Sequence, residues 1–258
     1  MEKTKIEWTE SSWNPITGCY HDCPYCYARR TANRFKGFDG NPDGISNYRI
    51  ITLDERLKVT SKDGVTRNAA YPYGFIPTFH KYRLNDLKTK KFGKTIFVGS
   101  MSDIFGAWVP DKWIAEIFKA CLEAPDHRYL FLTKNPARYI KLHDKGLLPK
   151  EDNFWFGSTV DTPDKFAFWS DLHHTFLSCE PIMEKFPDFA DSLDMADRHE
   201  WIILGAETGN RKDKVVPEKE WITGVVEAFQ SKNKAVFMKD SMKPIWGEDI
   251  LTEMPWRD

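Results

Sequence analysis

The sequence lacks an uninterrupted apolar run of the ~18 residues that a membrane-spanning helix needs, and its first ten residues lack the apolar core of a secretory signal. From these absences we expect a cytoplasmic protein without a membrane partner. An excess of one charge is also missing, because 37 lysines and arginines are balanced by 38 aspartates and glutamates. This balance excludes a generic polycation that binds nucleic acid through bulk charge, although it allows a local basic groove.

Cysteine is scarce, with five in 258 residues, and this excludes a scaffold built on disulfides. Three of the five nevertheless lie close together, at Cys19, Cys23 and Cys26. In a chain without a secretory signal, such a cluster indicates metal binding or redox chemistry in a reducing compartment. The other two, Cys121 and Cys179, lie within apolar patterns, and we expect them to be buried.

Six short apolar runs dominate the chain from about residue 95. They occupy residues 95–99, 128–133, 154–158, 175–179, 201–205 and 235–238. Each is nearly continuous in apolar character, which is typical of strands buried on both faces of a parallel sheet. Amphipathic segments separate the runs, and prolines stand where the first turns of helices are expected, at Pro110, Pro136, Pro163 and Pro217.

This alternation predicts βα units with right-handed crossovers, arranged as a full or partial barrel or, alternatively, as a doubly wound open sheet. Residues 38–94 break the alternation, because they are first turn-rich and then basic. We therefore predict a single domain over residues 1–258, with residues 38–94 as an insertion after the first βα unit.

The cysteines have the spacing C-x3-C-x2-C. Three thiolates on a short loop can each bind one iron of a cubane [4Fe–4S] cluster, which leaves the fourth iron open to an exogenous ligand. Gly18 would let the backbone approach the cluster, and Tyr25 could shield it or stack on a ligand ring. The alternative is a structural zinc site with His21 or a distant residue as the fourth ligand.

Residues 14–29 read NPITGCYHDCPYCYAR. The three-cysteine spacing after a first strand resembles the radical S-adenosylmethionine (SAM) superfamily, and the string NPxxGCxxxCxYCYAR resembles its spore photoproduct lyase-like branch. Over its whole length, the chain is also similar to a bacterial and phage family of three-cysteine proteins that carries little assigned function. The strand ends that support this second resemblance read GSMSD, LTK, GSTVD, SCEP and GAETG.

The resemblance implies a partial (β/α)6 TIM-like barrel with the cluster at its C-terminal mouth. It further implies that SAM chelates the open iron and that a one-electron reductant drives cleavage of the S–C5′ bond. The resulting 5′-deoxyadenosyl radical would remove a hydrogen atom from the substrate. Lyase, isomerase and transferase reactions all stay open.

Polar residues at the carboxyl ends of the strands are expected to line the pocket. The expected cofactor-binding residues are Tyr25, Ser100, Ser102, Asp103, Ser158 and Thr159. The expected catalytic residues are Lys134, Glu180, Glu207 and Lys239. GSMSD departs from the Gly-Gly-Glu-like segment that holds the methionyl amino group in the superfamily. Helix caps, loop residues or plain ion pairs are the alternatives for these positions.

Two basic stretches with interleaved aromatic residues indicate a nucleic-acid or nucleotide substrate. The cations assigned to this interface are Arg29, Arg30, Arg34, Lys88, Lys90 and Lys91. A solvated basic face is the alternative, and the photoproduct-lyase resemblance favours nucleic acid, for repair or modification. Two other functions stay open, namely radical chemistry on a peptide or small metabolite, and a non-catalytic zinc or iron–sulfur binding module.

Overall fold

The computed structural model describes residues 2–38, 50–60, 64–89 and 94–256. The chain divides into two compact units: the first comprises Met1–Thr4 and Thr9–Tyr129, and the second comprises Lys5–Trp8 and Leu130–Asp258. The expectation of one domain with an insertion stays a prediction, and part of that insertion lies outside the described residues.

The first unit contains short strands and few helices. Its strands are β1 (Glu2–Lys3), β2 (Ser11–Trp13), β3 (Ile16–Thr17), β4 (Ile51–Leu53), β5 (Lys58–Thr60), β6 (Thr66–Asn68), β7 (Thr78–His80) and β8 (Thr95–Val98). Its helices are α1 (Tyr27–Arg34), α2 (Asp111–Leu122) and a 3-10 helix at Lys81–Thr89. The strand orders are β1-β2-β8, β3-β7-β4 and β5-β6. Because β2 runs parallel to β8, the loops that follow these two strands leave the sheet at the same edge.

The second unit is built on parallel strands. They are β9 (Arg128–Thr133, in this unit from Leu130 onward), β10 (Phe154–Thr159), β11 (His174–Cys179), β12 (Trp201–Leu204) and β13 (Ala235–Met238), in that order across the sheet. The helices are α3 (Ala137–Asp144), α4 (Phe189–Arg198), α5 (Thr223–Ser231) and α6 (Lys243–Trp246), with 3-10 turns at Lys219–Trp221 and Asp240–Met242. Strands β10 to β13 are parallel neighbours, so their carboxyl ends share one edge.

The six strands predicted from apolar runs are confirmed as β8 to β13, each within one residue at either end. In the second unit, the side chains of Leu204, Val236 and Met238 are fully buried and belong to one core cluster with Val225 and Phe229 of α5. Both faces of these strands are covered, which explains why their sequences are continuously apolar rather than alternating.

The prediction of a partial (β/α)6 barrel is wrong. The structure is an α/β fold carried by parallel strands, with small additional sheets, and a helix does not follow each strand. Residues 160–173, which join β10 to β11, contain neither a helix nor a strand. In the first unit, the chain between β2 and β8 carries two- and three-stranded sheets in addition to the helix α1.

The helix predicted to begin at Pro163 is absent because its apolar residues do not face a core. Phe166, Trp169 and Leu172 are all exposed, and only Phe168 is buried. A proline is compatible with a first helical turn, but a short helix is stabilised mainly by packing an apolar face. Among the described residues, no helix combines the length and the apolar character that crossing a bilayer requires.

Candidate functional site

The cysteine loop, residues 18–26, is fixed at its start by two backbone hydrogen bonds within the first unit. The N–H of Gly18 donates to the carbonyl oxygen of Met101 at 2.9 Å, and the N–H of Cys19 donates to that of Phe75 at 3.3 Å. The loop is thereby attached both to the segment after β8 and to the segment before β7. The position of the first cysteine is therefore set by the surrounding fold.

All three cysteine side chains are half-buried, and two of their sulfur atoms accept backbone hydrogen bonds. The N–H of His21 lies 3.5 Å from Sγ of Cys19, and the N–H of Arg29 lies 3.4 Å from Sγ of Cys26. Cys26 is also the N-cap of α1. The amino end of a helix favours negative charge, so this position suits a thiolate or an anionic cluster.

The pKa of the Cys19 thiol is raised to about 12, mainly by burial and further by the charges of Asp103, Cys23 and Cys26, against the lowering effect of the His21 N–H. A thiol in this environment gives up its proton readily only to a metal centre, whose positive charge reverses the balance. The loop therefore suits a ligand role better than that of a free nucleophile.

Within the described ranges, no group of three or more His, Cys, Asp or Glu side chains is arranged to hold a single metal ion. A structural zinc site places four donors around one ion, with Zn–S distances of about 2.3 Å. In an iron–sulfur cube, each cysteine bonds a different iron, so the sulfurs need not converge on one point. The spacing and number of the cysteines are thus compatible with a cluster, and a ready-made single-ion site is not present among the described residues.

Two of the residues expected to contact SAM are held by neighbours in the first unit. Asp103 is bonded through Oδ2 to Nε2 of His21 at 2.7 Å and accepts the N–H of Phe105 through Oδ1 at 3.0 Å. Ser100 donates its hydroxyl to Oδ1 of Asn14 at 3.1 Å. These contacts give Asp103 and Ser100 a structural role in shaping the segment that faces the cysteine loop.

Ser102 differs from these two residues. Its hydroxyl is buried and has no hydrogen-bond partner in the described part of the chain. Its backbone forms a parallel bridge with Gly18, directly before the first cysteine. Tyr25 is half-buried within the loop itself. The hydrogen-bonding capacity of the Ser102 hydroxyl is therefore unused among the described residues.

The basic residues assigned to nucleic acid have different surroundings. Arg29 forms an ion pair with Asp22, and its guanidinium lies 5.6 Å from the centroid of the Phe75 ring. Lys88 forms an ion pair with Glu123 at 2.7 Å, within the first unit. Lys88 is therefore already neutralised by a neighbouring carboxylate.

Arg30 and Arg34 are both exposed on α1. The guanidinium of Arg34 lies 5.4 Å from the centroid of the exposed Phe35 ring. Lys90 and Lys91 lie outside the described residues. Three of the six predicted cations, the arginines, thus lie on the helix that follows the cysteine loop, and Arg29 contacts Asp22 of that loop.

A second group of predicted residues meets at the carboxyl ends of β11 and β13, in the second unit. Oε2 of Glu180 accepts a hydrogen bond from Nζ of Lys239 at 3.0 Å, and Oε1 accepts one from Nε1 of Trp8 at 2.9 Å. A Cβ atom on Gly205, which follows β12, would lie 3.1 Å from both Glu180 and Lys239. The absence of a side chain at Gly205 therefore leaves room for the pair.

Burial tends to lower the pKa of Lys239, but the charge and hydrogen bond of Glu180 act in the opposite direction, and the pKa lies above its ordinary value. Lys239 therefore keeps its proton near neutral pH. It can donate hydrogen bonds and hold positive charge, but it is not suited to accept a proton.

The remaining predicted catalytic residues form separate pairs. Lys134 donates to Oδ2 of Asp161 at 2.8 Å. Arg211 forms two parallel hydrogen bonds of 2.7 Å with the carboxylate of Glu207, which lowers the pKa of Glu207 despite its burial. The structure thus brings Glu180 together with Lys239, and it pairs Lys134 and Glu207 with other residues.

The two remaining cofactor candidates are buried in the second unit. Ser158 accepts the backbone N–H of Phe168 at 2.9 Å, and Thr159 is buried at the end of β10. Ser178, near the end of β11, has a buried hydroxyl with no hydrogen-bond partner in the ranges described. Ser158 therefore supports the helix-free connection rather than presenting its hydroxyl to a ligand.

Several residues of these sites were not predicted from the sequence. Oδ1 of Asn14 accepts a hydrogen bond from the backbone N–H of Met101 at 2.9 Å, in addition to the one from the Ser100 hydroxyl. Nε1 of Trp8 donates a hydrogen bond to Glu180, which lies 172 residues away in the sequence. His21, named above only as an alternative zinc ligand, contacts Asp103. Asn14 belongs to the NPITGC string, which was a usable signal, whereas no local pattern points to Trp8.

Comparison with known proteins gives one match. Residues 3–252 match the model of a family described as a protein of unknown function, DUF5131. No curated protein and no solved structure matches the chain. Because the match covers nearly the whole sequence, the chain belongs to the DUF5131 family.

Proposed function

We propose that this protein is a cytoplasmic radical SAM enzyme that holds a [4Fe–4S] cluster through Cys19, Cys23 and Cys26. The observation that carries the proposal is the anchored loop with three half-buried cysteines, of which Cys26 caps α1 and Cys19 accepts a backbone N–H. Proteins hold iron–sulfur clusters through cysteine thiolates. Hydrogen bonds to the sulfurs and partial burial then set the reduction potential of the cluster.

When bound, the cluster and SAM together supply a 5′-deoxyadenosyl radical after one-electron reduction by a partner protein or small reductant. Cys19, Cys23 and Cys26 are the residues that would hold the cluster, and three thiolate ligands would leave one iron for the amino acid part of SAM. The amino end of α1 and the N–H groups of His21 and Arg29 stabilise negative charge at the sulfurs. Ser102, whose hydroxyl has no hydrogen-bond partner among the described residues, is the proposed polar contact for the cofactor.

Glu180 and Lys239 supply a fixed pair of charges in the second unit. Lys239 stays protonated, and Trp8 fixes the second carboxylate oxygen of Glu180, so the pair is held in one orientation. We propose that this pair orients polar groups of a ligand through its remaining hydrogen-bonding capacity. Orientation and exclusion of water are the contributions that a protein makes to such cofactor chemistry.

The proposed substrate is a nucleobase, in nucleic acid or in a nucleotide, and the proposed outcome is repair or modification. Support comes from the exposed Arg30 and Arg34 on the helix that follows the cysteines, and from the exposed ring of Phe35 beside Arg34. Phosphate contacts with arginine and stacking on aromatic rings are the usual means of binding single-stranded nucleic acid.

The test is anaerobic reconstitution of the full chain, followed by reduction in the presence of SAM. We expect about four irons and four sulfides per chain and release of 5′-deoxyadenosine. Replacing any one of Cys19, Cys23 and Cys26 by Ala should abolish both. Cys121→Ala, at a buried cysteine of α2, is the control and should keep both.

Three outcomes would contradict parts of the proposal. One zinc per chain without labile sulfide would establish a zinc-binding module instead. A stable cluster that does not cleave SAM would establish a non-catalytic iron–sulfur protein. Turnover of a peptide or small metabolite, with no effect of nucleic acid, would leave the radical chemistry in place and overturn the substrate assignment.

A further inference from the structure

A cavity of about 420 Å³ opens beside the cysteine loop, within the first unit. Cys19 forms part of its wall, so a ligand in the cavity would lie next to a proposed iron ligand. Its lining includes Cys19, Arg29, Lys36, Phe38, Tyr73 and Phe75. Cavities of this size are in the range that binds small molecules and cofactors.

Two aromatic rings form one side of the cavity. The rings of Phe38 and Tyr73 are stacked, with centroids 5.9 Å apart and an angle of 29° between their planes. Phe38 is 41% exposed, although a ring of this size is normally buried or covered. Because every nucleobase has a flat π-face, an exposed aromatic stack is the surface that bases use when they bind without regard to sequence.

The stack is held in place by backbone hydrogen bonds. The N–H of Gly37 donates to the carbonyl oxygen of Tyr71 at 3.0 Å, and the N–H of Phe38 donates to that of Pro72 at 3.1 Å. These bonds attach the end of the segment after α1 to the loop that carries Tyr73. Because the two rings are already held in position, little conformational entropy is lost when a ligand binds to the stack.

Positive charge lines the same cavity. Arg29 and Lys36 are the charged side chains of its lining in the described part of the chain, and both are cations. Asp22 contacts one terminal nitrogen of Arg29, but a guanidinium has five N–H donors in total. An anionic group next to the aromatic stack would therefore find complementary charge.

We infer that this cavity binds one nucleotide unit, with its base on the Phe38–Tyr73 stack and its phosphate against Arg29 and Lys36. The inference deepens the proposed function and rests on it, because it places the base of the substrate beside Cys19. The same chemistry is offered by a free nucleotide and by one nucleotide of a single strand, and the experiment below distinguishes these two sources.

The test measures binding of a fluorescent single-stranded oligonucleotide and of a free nucleoside monophosphate to the reconstituted full chain. Phe38→Ala and Tyr73→Ala should each weaken binding by about 5- to 100-fold, which corresponds to the loss of one stacking contact. Tyr73→Phe should bind like the wild type, because it keeps the ring. Phe166→Ala is the control, since it removes an exposed ring of the second unit.

Lys36 is exposed, and replacing it leaves the stack of Phe38 and Tyr73 intact. Lys36→Ala should reduce the salt dependence of oligonucleotide binding, with a change of about 0.7 in the slope of log affinity against log salt. Competition distinguishes the two sources. If the free nucleotide displaces the oligonucleotide at similar concentrations, the cavity takes a free nucleotide; if only the oligonucleotide binds, it takes a strand.

Iron content and cleavage of SAM without nucleotide are measured on the same preparations. If Phe38→Ala and Tyr73→Ala bind within twofold of the wild type, the inference is overturned while the cluster proposal is unaffected. If the wild type contains no iron–sulfur cluster but the variants lose nucleotide binding as expected, the radical function fails and the binding site stands. A variant that does not fold is replaced by Phe38→Leu, which is expected to retain the packing but lose the stacking surface.

Discussion

The ammonium group of Lys239 and the carboxylate of Glu180 meet beside Gly205, where a Cβ atom would lie only 3.1 Å from each of the two side chains. The three residues follow β13, β11 and β12, which are adjacent parallel strands. Their proximity is therefore a consequence of strand order, and the ion pair is partly shielded from solvent by the ends of the sheet.

Removing the lysine of this pair should destabilise the second unit. Lys239→Met leaves the partly buried carboxylate of Glu180 with the indole N–H of Trp8 as its hydrogen-bond donor among the described residues, and we expect a loss of about 1–3 kcal/mol in the free energy of unfolding. Lys243→Met is the matched control, because it breaks the exposed pair with Asp240 and should leave the free energy of unfolding almost unchanged. Urea denaturation measures both, and equal losses would contradict the expectation.

Two variants of Cys26 separate its capping role from its proposed role as an iron ligand. Cys26→Ser keeps an N-cap side chain for the N–H of Arg29, whereas Cys26→Ala removes it. Both should lose iron, but only Cys26→Ala should lose about 1 kcal/mol of stability relative to Cys26→Ser. Iron analysis and thermal unfolding of the metal-free proteins measure these two effects. Retention of a complete cluster by Cys26→Ser would argue against iron ligation by this residue.

Gly18 tests whether the cysteine loop depends on a close backbone approach. Its φ is +89°, and a Cβ atom would lie 2.4 Å from the carbonyl oxygen of Ile76. Gly146 has a φ of +64° but open space around it, so Gly146→Ala reports the conformational cost alone, about 1 kcal/mol. Gly18→Ala should cost about 3 kcal/mol and reduce iron binding. Denaturation and iron content would show no difference between the two variants if the contact were unimportant.

Acid should destabilise the second unit through His199. Burial, with the charges of Arg198 and Lys234, lowers the pKa of His199 from 6.5 to about 4. Between these two values, the unfolded chain binds a proton that the folded chain does not, so stability is complete above pH 6.5 and falls as the pH decreases toward 4. The contribution is on the order of 3 kcal/mol.

The variant that checks this prediction is His199→Asn, whose amide nitrogen takes the place of Nδ1 and can keep the hydrogen bond with Thr175. Its free energy of unfolding should fall less steeply than that of the wild type between pH 6.5 and 4. Between pH 8 and 9, where the imidazole is neutral in both states, the difference between the free energies of unfolding of the two proteins should not change with pH. Parallel curves down to pH 4 would show that His199 does not contribute.

Local patterns predicted the elements that depend on local properties. Strands β8 to β13 follow from continuous apolar runs, because a strand buried on both faces needs apolar residues at successive positions. The helix over Asp111–Leu122 follows from its amphipathic spacing. The pattern failed at Pro163, since a proline permits a helix start but cannot supply the core against which the helix would pack.

The sequence by itself determined the three-cysteine loop and the buried strands, since both depend on residues that are close together in the chain. Only the tertiary structure decided that Glu180 pairs with Lys239 and Trp8, that His21 meets Asp103, and that Phe38 and Tyr73 share one cavity with Cys19. These contacts join residues that are distant in sequence. Strand order, register and loop path bring such residues together, and no local period of apolar residues encodes them.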